Sequence, residues 1–278
     1  LKKFDNIILA SDIDGTFVWQ YGYVNPKNFE KVKYFISNGG HFLFSSGRNS
    51  KDITVVSNDL LSLVNTPCVL CNGGFLYDIE KDVIENPVYT DSKKLSQMLS
   101  DVANAFPDVG FRASYDGGFI IREEDEYIKT ELSRYGMLKF ATFEPLANFE
   151  KYKMFKAIFR SDKERLAEVA KYIIPKYESS FAFTRSAETI LEAMPHGVTK
   201  ATQLSHLKEK MKKQYPDAVL WCVGDFDNDV DMLKFADVAA CPENATDAVK
   251  DICSVHLCHC KDGAIAELID VIEKHINI

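Results

Sequence analysis

The sequence predicts an α/β protein: a parallel-sheet core interrupted by an inserted α+β domain. Three observations predict this. Short apolar runs alternate with helix-period segments near the start of the chain, the texture shifts to hairpins mixed with helices in the middle, and the first texture returns toward the end. Strands alternating with helices call for right-handed crossovers and a parallel sheet. Hairpins mixed with helices call for an antiparallel sheet of a separate unit.

Taken in order, residues 6–10 (NIILA) read as a fully buried strand, short and apolar with turn residues after it. A helix follows from Pro26, its apolar stripe formed by Phe29, Val32, Phe35 and Ile36 and its end marked by Asn38-Gly39-Gly40. HFLFSS (41–46) is the second strand, KDITVVSNDLLSLV (51–64) the next helix and CVLC (68–71) the third strand. From about residue 83 the pattern changes. SKKLSQMLSDVANAF (92–106) is an amphipathic helix, and VGFRAS and GGFIIR flank a Tyr115-Asp116-Gly117 hairpin. KMFKAIF is a strand, SDKERLAEVAKYII a helix, and SFAFTR and TILEAM two further strands. After residue 195 come a helix over 197–215, the strand AVLWCVG, a short helix NDVDMLKFA, the strand DVAAC and a last helix over 262–276. Residues 1–83 and 189–278 are therefore assigned to the core and 84–188 to the inserted domain.

The chain has 278 residues, 46% hydrophobic and 27% charged, with a net charge of -8. A negative balance argues against non-specific nucleic-acid binding, which needs a basic surface. No apolar run approaches the ~20 residues that span a bilayer, and LKKFDNIILASDIDG does not read as a signal peptide. No membrane association and a cytoplasmic location are expected. Seven cysteines spread over the chain do not suggest a disulfide framework. Cys68 and Cys71 have CxxC spacing but read as a buried strand. Cys253, His256, Cys258, His259 and Cys260 offer zinc-ligand types at poor spacing, and read as a strand edge running into a loop.

In an open parallel sheet, ligands bind beyond the carboxyl ends of the strands. Four polar clusters fall there: DIDGT (12–16), SSGR (45–48), Lys200 opening the helix after Gly197, and GDFDND (224–229). Asp12 and Asp14, joined by Asp225 from another strand, repel one another unless a cation or protons intervene. Mg2+ suits such a set, being hard, oxygen-seeking and commonly held by one or two carboxylates with waters and a substrate phosphate. Ser46, the backbone at Gly47 and Lys200 offer hydrogen bonds and positive charge to a phosphate, and Lys200 lies in the first turn of its helix. Arg48 pairs with an acid, and Asp227 and Asp231 read as solvated or capping residues.

The order DxDGT, then S/T-G-R, then Lys, then GDxxND resembles the haloacid dehalogenase superfamily of phosphotransferases. DIDGT, NGGHFLFSSGR, CNGG, GVTKATQL, GDFDNDVDML, CPENA and KDGAIAELI together resemble its Cof-type branch, with a C2-type cap, across almost the whole core. The resemblance implies a Rossmann-like core with the cap inserted between the second and third motifs. It implies Asp12 as nucleophile, forming an aspartyl-phosphate, and Asp14 as general acid/base. Gly15 lets the chain turn so that both carboxylates face the substrate. The resemblance also implies metal held by the Asp12 and Asp225 side chains and the Asp14 carbonyl, with Ser46, Gly47, Lys200 and Asn228 on the phosphoryl oxygens. Asp229 would support Lys200 or the metal's waters. Ser46 stands where many relatives have Thr, and ACPENA where many have a Met-Gly-Asn-Ala run. The substrate it implies is a small phosphorylated metabolite, such as a sugar phosphate, with Mg2+ as cofactor. A sugar phosphomutase or a non-catalytic metabolite-binding relative are the alternatives. In the cap, Arg112, Tyr115 and Arg185 are candidate substrate contacts.

Overall fold

The computed structural model describes residues 2–56 and 59–276. In chain order its elements begin with β1 (Ile7–Ser11), α1 (Pro26–Ser37), β2 (His41–Phe44), α2 (Ile53–Val56), β3 (Cys68–Leu70), β4 (Phe75–Asp78) and β5 (Val83–Glu85). They continue with α3 (Ser92–Ala105), β6 (Gly110–Tyr115), β7 (Gly118–Ile121), α4 (Glu126–Arg134), β8 (Ala141–Phe143), β9 (Met154–Arg160), α5 (Lys163–Tyr177), β10 (Phe181–Ala187) and β11 (Ile190–Pro195). Last come α6 (Lys200–Lys212), β12 (Val219–Val223), α7 (Val230–Phe235), β13 (Val238–Pro242), α8 (Asp247–Lys250), β14 (Val255–Leu257) and α9 (Ala264–His275).

The chain divides into two compact units: residues 1–47, 56–86 and 199–278, and residues 48–55 and 87–198. The first is built on a five-stranded sheet of order β14-β13-β12-β1-β2, parallel throughout. Every residue of β1 is buried, as expected of a central parallel strand covered on both faces. Strand order reverses at β1, which has β2 on one side and β12 on the other. That is the switch point at which open sheets bind ligands. Helices α1 and α9 are pinned together by the Ala266 N–H donating to Asn28 Oδ1 (3.0 Å) and by the Lys31–Asp270 ion pair.

Strand β3 departs from the expected simple parallel series. It touches the main sheet through a parallel bridge between Ser45 and Val69, then turns into an antiparallel meander with β4 and β5. The helix expected over 51–64 is instead one turn at α2 and a 3-10 turn at Leu60–Leu63, residues 57–58 lying outside those described.

The second unit is a six-stranded sheet of order β10-β11-β9-β6-β7-β8, with the Tyr115–Gly118 pair closing the expected hairpin. All its pairings are antiparallel except β7 with β8. One face packs Phe111, Ala113, Ala157 and Phe159 against Leu95 and Leu99 of α3 and Leu166 and Val169 of α5. Phe119 and Ile121 pack on Ile128 and Leu132 of α4.

Three stretches sit differently from the expected boundaries of 1–83, 84–188 and 189–278. Residues 84–86 belong with the first unit because β5 pairs with β4. Residues 189–198 belong with the second because β11 is hydrogen-bonded between β10 and β9. Residues 48–55 also join the second unit: Asn49 Nδ2 donates to the Gly118 carbonyl (3.0 Å), and Val55 packs beside Phe119 and Ile128. No helix among the described residues is long and apolar enough to cross a membrane.

Candidate active site

Parallel strands put their carboxyl ends at one edge, so the chain segments leaving β1, β2 and β12 emerge together. Asp12 follows β1 directly, its N–H donating to the Val223 carbonyl at the end of β12 (2.9 Å). Asp225 lies two residues beyond β12. Lys200 is the first residue of α6, where Thr199 caps the helix and its N–H donates to Thr202 Oγ1 (3.1 Å).

The centre of the site is the ammonium of Lys200. It donates to Asp12 Oδ1 at 2.6 Å and to Asp229 Oδ1 at 2.5 Å, and its side chain is fully buried. A buried lone ammonium is costly, and two carboxylates are the compensation that retains it. Burial works to lower the Lys200 pKa, but Asp12 and Asp229 outweigh it and hold the group above its ordinary value. The other oxygen of Asp229 accepts from the N–H groups of Asp225 (2.9 Å) and Phe226 (3.2 Å). Gly224 gives that carboxylate room, since a Cβ there would lie 2.4 Å from its carbon.

Asp12, Asp225 and Asp229 bring one carboxylate oxygen each within 4.8 Å of one another. Burial, with Asp229 and Asp14 adding to it against Lys200, pushes the Asp12 pKa up to about 7. Asp225 is raised well above the carboxylate range by burial, then by Asp12 and Asp229. Two buried, mutually repelling carboxylates are the donor chemistry that a hard divalent cation relieves. Asp229 is already engaged on both oxygens, by Lys200 and by two backbone N–H groups, so Asp12 and Asp225 are the side chains suited to such an ion.

Asp14 is exposed, in contrast to buried Asp12. The turn between β1 and Thr16 is held from three sides. Gly15 has φ +87°, and a Cβ on it would lie 2.3 Å from an Asp225 oxygen, so both backbone and space require glycine. Thr16 Oγ1 donates to Asp225 Oδ1 (2.7 Å). Asn244 Nδ2 donates to the Gly15 carbonyl (2.7 Å), while its Oδ1 accepts from the Cys260 N–H (3.0 Å). The CPENA loop, whose contacts the sequence left open, thus anchors the turn.

Ser46 is buried, and its carbonyl accepts from the Asn72 N–H (2.9 Å). A Cβ on Gly47 would lie 3.1 Å from the Asn72 side chain, and Asn228 Nδ2 donates to Asn72 Oδ1 (3.1 Å). Ser46, Gly47 and Asn228 therefore meet around Asn72. The sequence reading passed over Thr16, Asn72 and Asn244; each lies inside a recognised motif, but only their contacts give them a place.

Arg112, Tyr115 and Arg185 belong to the second unit. Arg112 is buried with its guanidinium 4.0 Å from the centre of the Phe119 ring. Tyr115 shares a hydrogen bond with Thr142 Oγ1 (2.7 Å) and packs edge-on to Tyr152. Arg185 donates to the Glu188 carbonyl (2.8 Å). Arg48 lies 3.9 Å from Asp52, the acid with which it pairs. At the chain's end, Cys253 to Cys260 run along β14 into a loop, and His256 Nε2 contacts the Cys253 carbonyl.

The chain is 22% identical over 268 residues to the 5-amino-6-(5-phospho-D-ribitylamino)uracil phosphatase of Bacillus subtilis, covering 87% of this chain and 90% of that one. The fold matches a haloacid dehalogenase-like hydrolase from Bacteroides thetaiotaomicron, with TM-score 0.79, 20% identity, and coverage of 95% and 98% of the two chains. It matches equally a sugar phosphatase of HAD subclass IIB, with TM-score 0.79, 14% identity and the same coverage. The family model of haloacid dehalogenase-like hydrolases matches residues 9–269, and the chain belongs to that family.

Proposed function

We propose that this protein is a Mg2+-dependent phosphatase that hydrolyses a small phosphorylated metabolite through an aspartyl-phosphate on Asp12. The observation that carries this is the buried Lys200 ammonium held between Asp12 and Asp229, 2.6 and 2.5 Å away. A fixed positive charge beside a carboxylate nucleophile favours approach of an anionic phosphoryl group, and it needs no reorganisation when charge develops.

An Asp12 oxygen attacks phosphorus, and the bond from phosphorus to the leaving oxygen breaks. Asp14, exposed to solvent and two residues along, gives its proton to that oxygen. Water then attacks the same phosphorus and gives a proton to the Asp14 carboxylate. The phosphorus–Asp12 bond breaks, which restores the Asp12 carboxylate and frees inorganic phosphate. Lys200, Ser46 and the Gly47 backbone are the groups suited to hold the phosphoryl oxygens, with Asn228 beside them. Mg2+ would be held by Asp12 and Asp225, and when bound it supplies charge neutralisation for the phosphoryl group.

The test is phosphate release from a panel of sugar phosphates, other phosphate monoesters and the phosphorylated pyrimidine named for the Bacillus relative, with and without Mg2+. Mg2+-dependent release from at least one member, lost in Asp12→Asn, is the expected result. A phosphomutase would convert a sugar phosphate to its isomer in preference to releasing phosphate, and a binding protein would do neither.

A further inference from the structure

We infer that Asn72 is a further phosphoryl-binding residue, its side-chain amide donating to an oxygen of the group being transferred. This rests on the phosphatase reading and adds to it a residue from a segment outside the four motifs that define the site.

The backbone around Asn72 is held in an unusual state. Cys71, Asn72 and Gly73 have φ of 52°, 54° and 98°, three consecutive residues in the left-handed region. A non-glycine pair in that region is strained, and such strain persists where surrounding structure fixes it, commonly at functional sites. Two neighbours fix it here. The Asn72 N–H donates to the Ser46 carbonyl (2.9 Å). Gly73 lies so close to the start of α6 that a Cβ would sit 2.0 Å from the Thr199 carbonyl oxygen and 3.2 Å from the Lys200 nitrogen. The turn is therefore wedged between the Ser46–Gly47 segment and the helix that begins with Lys200.

The side chain continues this placement. Asn72 is 1% exposed. Its Oδ1 accepts from Asn228 Nδ2 (3.1 Å), and its amide lies against Gly47. Its Nδ2 is buried and has no hydrogen-bond partner among the described residues. A buried amide with its acceptor used and its donors unused is costly, and here it sits among Ser46–Gly47, Lys200 and Asn228. A phosphoryl oxygen is the acceptor that chemistry calls for. A hydrogen bond from a neutral donor to a charged group has the strength to matter.

The experiment compares wild type with Asn72→Gly and Asn72→Asp by titration calorimetry with inorganic phosphate, in Mg2+, alongside kcat/KM for an aryl phosphate and a sugar phosphate. Glycine adopts the left-handed turn without strain and so removes the amide while keeping the backbone. Phosphate affinity should fall about 10- to 100-fold in Asn72→Gly. kcat/KM should fall by a similar factor for both substrates, because the contact is to the group they share. Asn72→Asp keeps the acceptor for Asn228 but puts negative charge beside the phosphate, and should lose more. Wild-type phosphate affinity in Asn72→Gly overturns the inference, whatever happens to turnover. If that variant does not fold, unchanged affinity in Asn72→Asp overturns it in the same way. Failure of the wild type to release phosphate from any substrate would instead count against the phosphatase reading, and is seen before the variants are compared.

Discussion

Lys200 and Asp229, 29 residues apart in the chain, form a fully buried ion pair with Nζ 2.5 Å from Oδ1. Asp12 shares the same ammonium at 2.6 Å. Truncating the lysine would leave two buried carboxylates without their cation. Lys200→Met is expected to lower stability by about 3–5 kcal/mol, measured by urea unfolding. Phosphate release should fall by about 10²–10³-fold or more. Unchanged urea midpoints would show that the pair carries no structural weight.

On the proposed mechanism the two acids of DIDGT separate by role. Asp12→Asn replaces the nucleophile by a neutral amide of nearly the same shape and should abolish turnover. Asp14→Asn loses only the proton shuttle, typically worth about 10²–10⁴-fold. Its loss should be much smaller for an aryl phosphate than for a sugar phosphate, because an aryl oxide departs without a proton. A burst of one equivalent of phenol followed by a slow steady state should appear in stopped-flow traces. Covalent phosphate trapped on Asp14 in place of Asp12 would reverse the assignment.

Activity should vanish in excess chelator and return on adding Mg2+. Asp225→Asn keeps the shape of a buried side chain that accepts from Thr16 but removes its charge. The Mg2+ concentration for half-maximal activity should rise at least about 10-fold, with the lesion eased by more metal. Phosphate release that persists undiminished in chelator would rule out the metal dependence.

The second unit holds its own buried ion pair, Lys156 with Glu192, both nearly inaccessible to solvent. Glu192→Leu alone strands an ammonium and should cost about 3–5 kcal/mol. The double change Lys156→Met with Glu192→Leu should recover most of that loss, since apolar replacement of a buried pair is often neutral or favourable. Thermal unfolding of the wild type, each single variant and the double variant closes the cycle. Additive losses would mean that the two groups do not depend on each other.

Much of the fold and site is legible in the residues because it depends on local pattern. An unbroken apolar run marks β1, period-3.6 spacing marks α1, α3 and α9, and the polar clusters DIDGT, SSGR and GDFDND at strand ends point to a candidate site before any contact is known. Asp12, Lys200 and Asp225 are singled out in this way, since their residue types at strand and helix ends carry the signal, whereas Asp229 came only with the family resemblance. What tertiary structure alone decided depends on distant chain meeting in space. Asp229 is committed to Lys200 and to two backbone N–H groups, which no spacing within GDFDND reveals. Residues 48–55 and β11 join the second sheet's unit because hydrogen-bond partners, and not composition, settle where a short segment belongs. The left-handed turn at Cys71–Gly73 is likewise invisible in CNGG until Thr199 and Ser46 are seen pressing on it. Periodicity reports which face of an element is apolar, whereas a buried polar contact is fixed by the one partner that packing brings within reach.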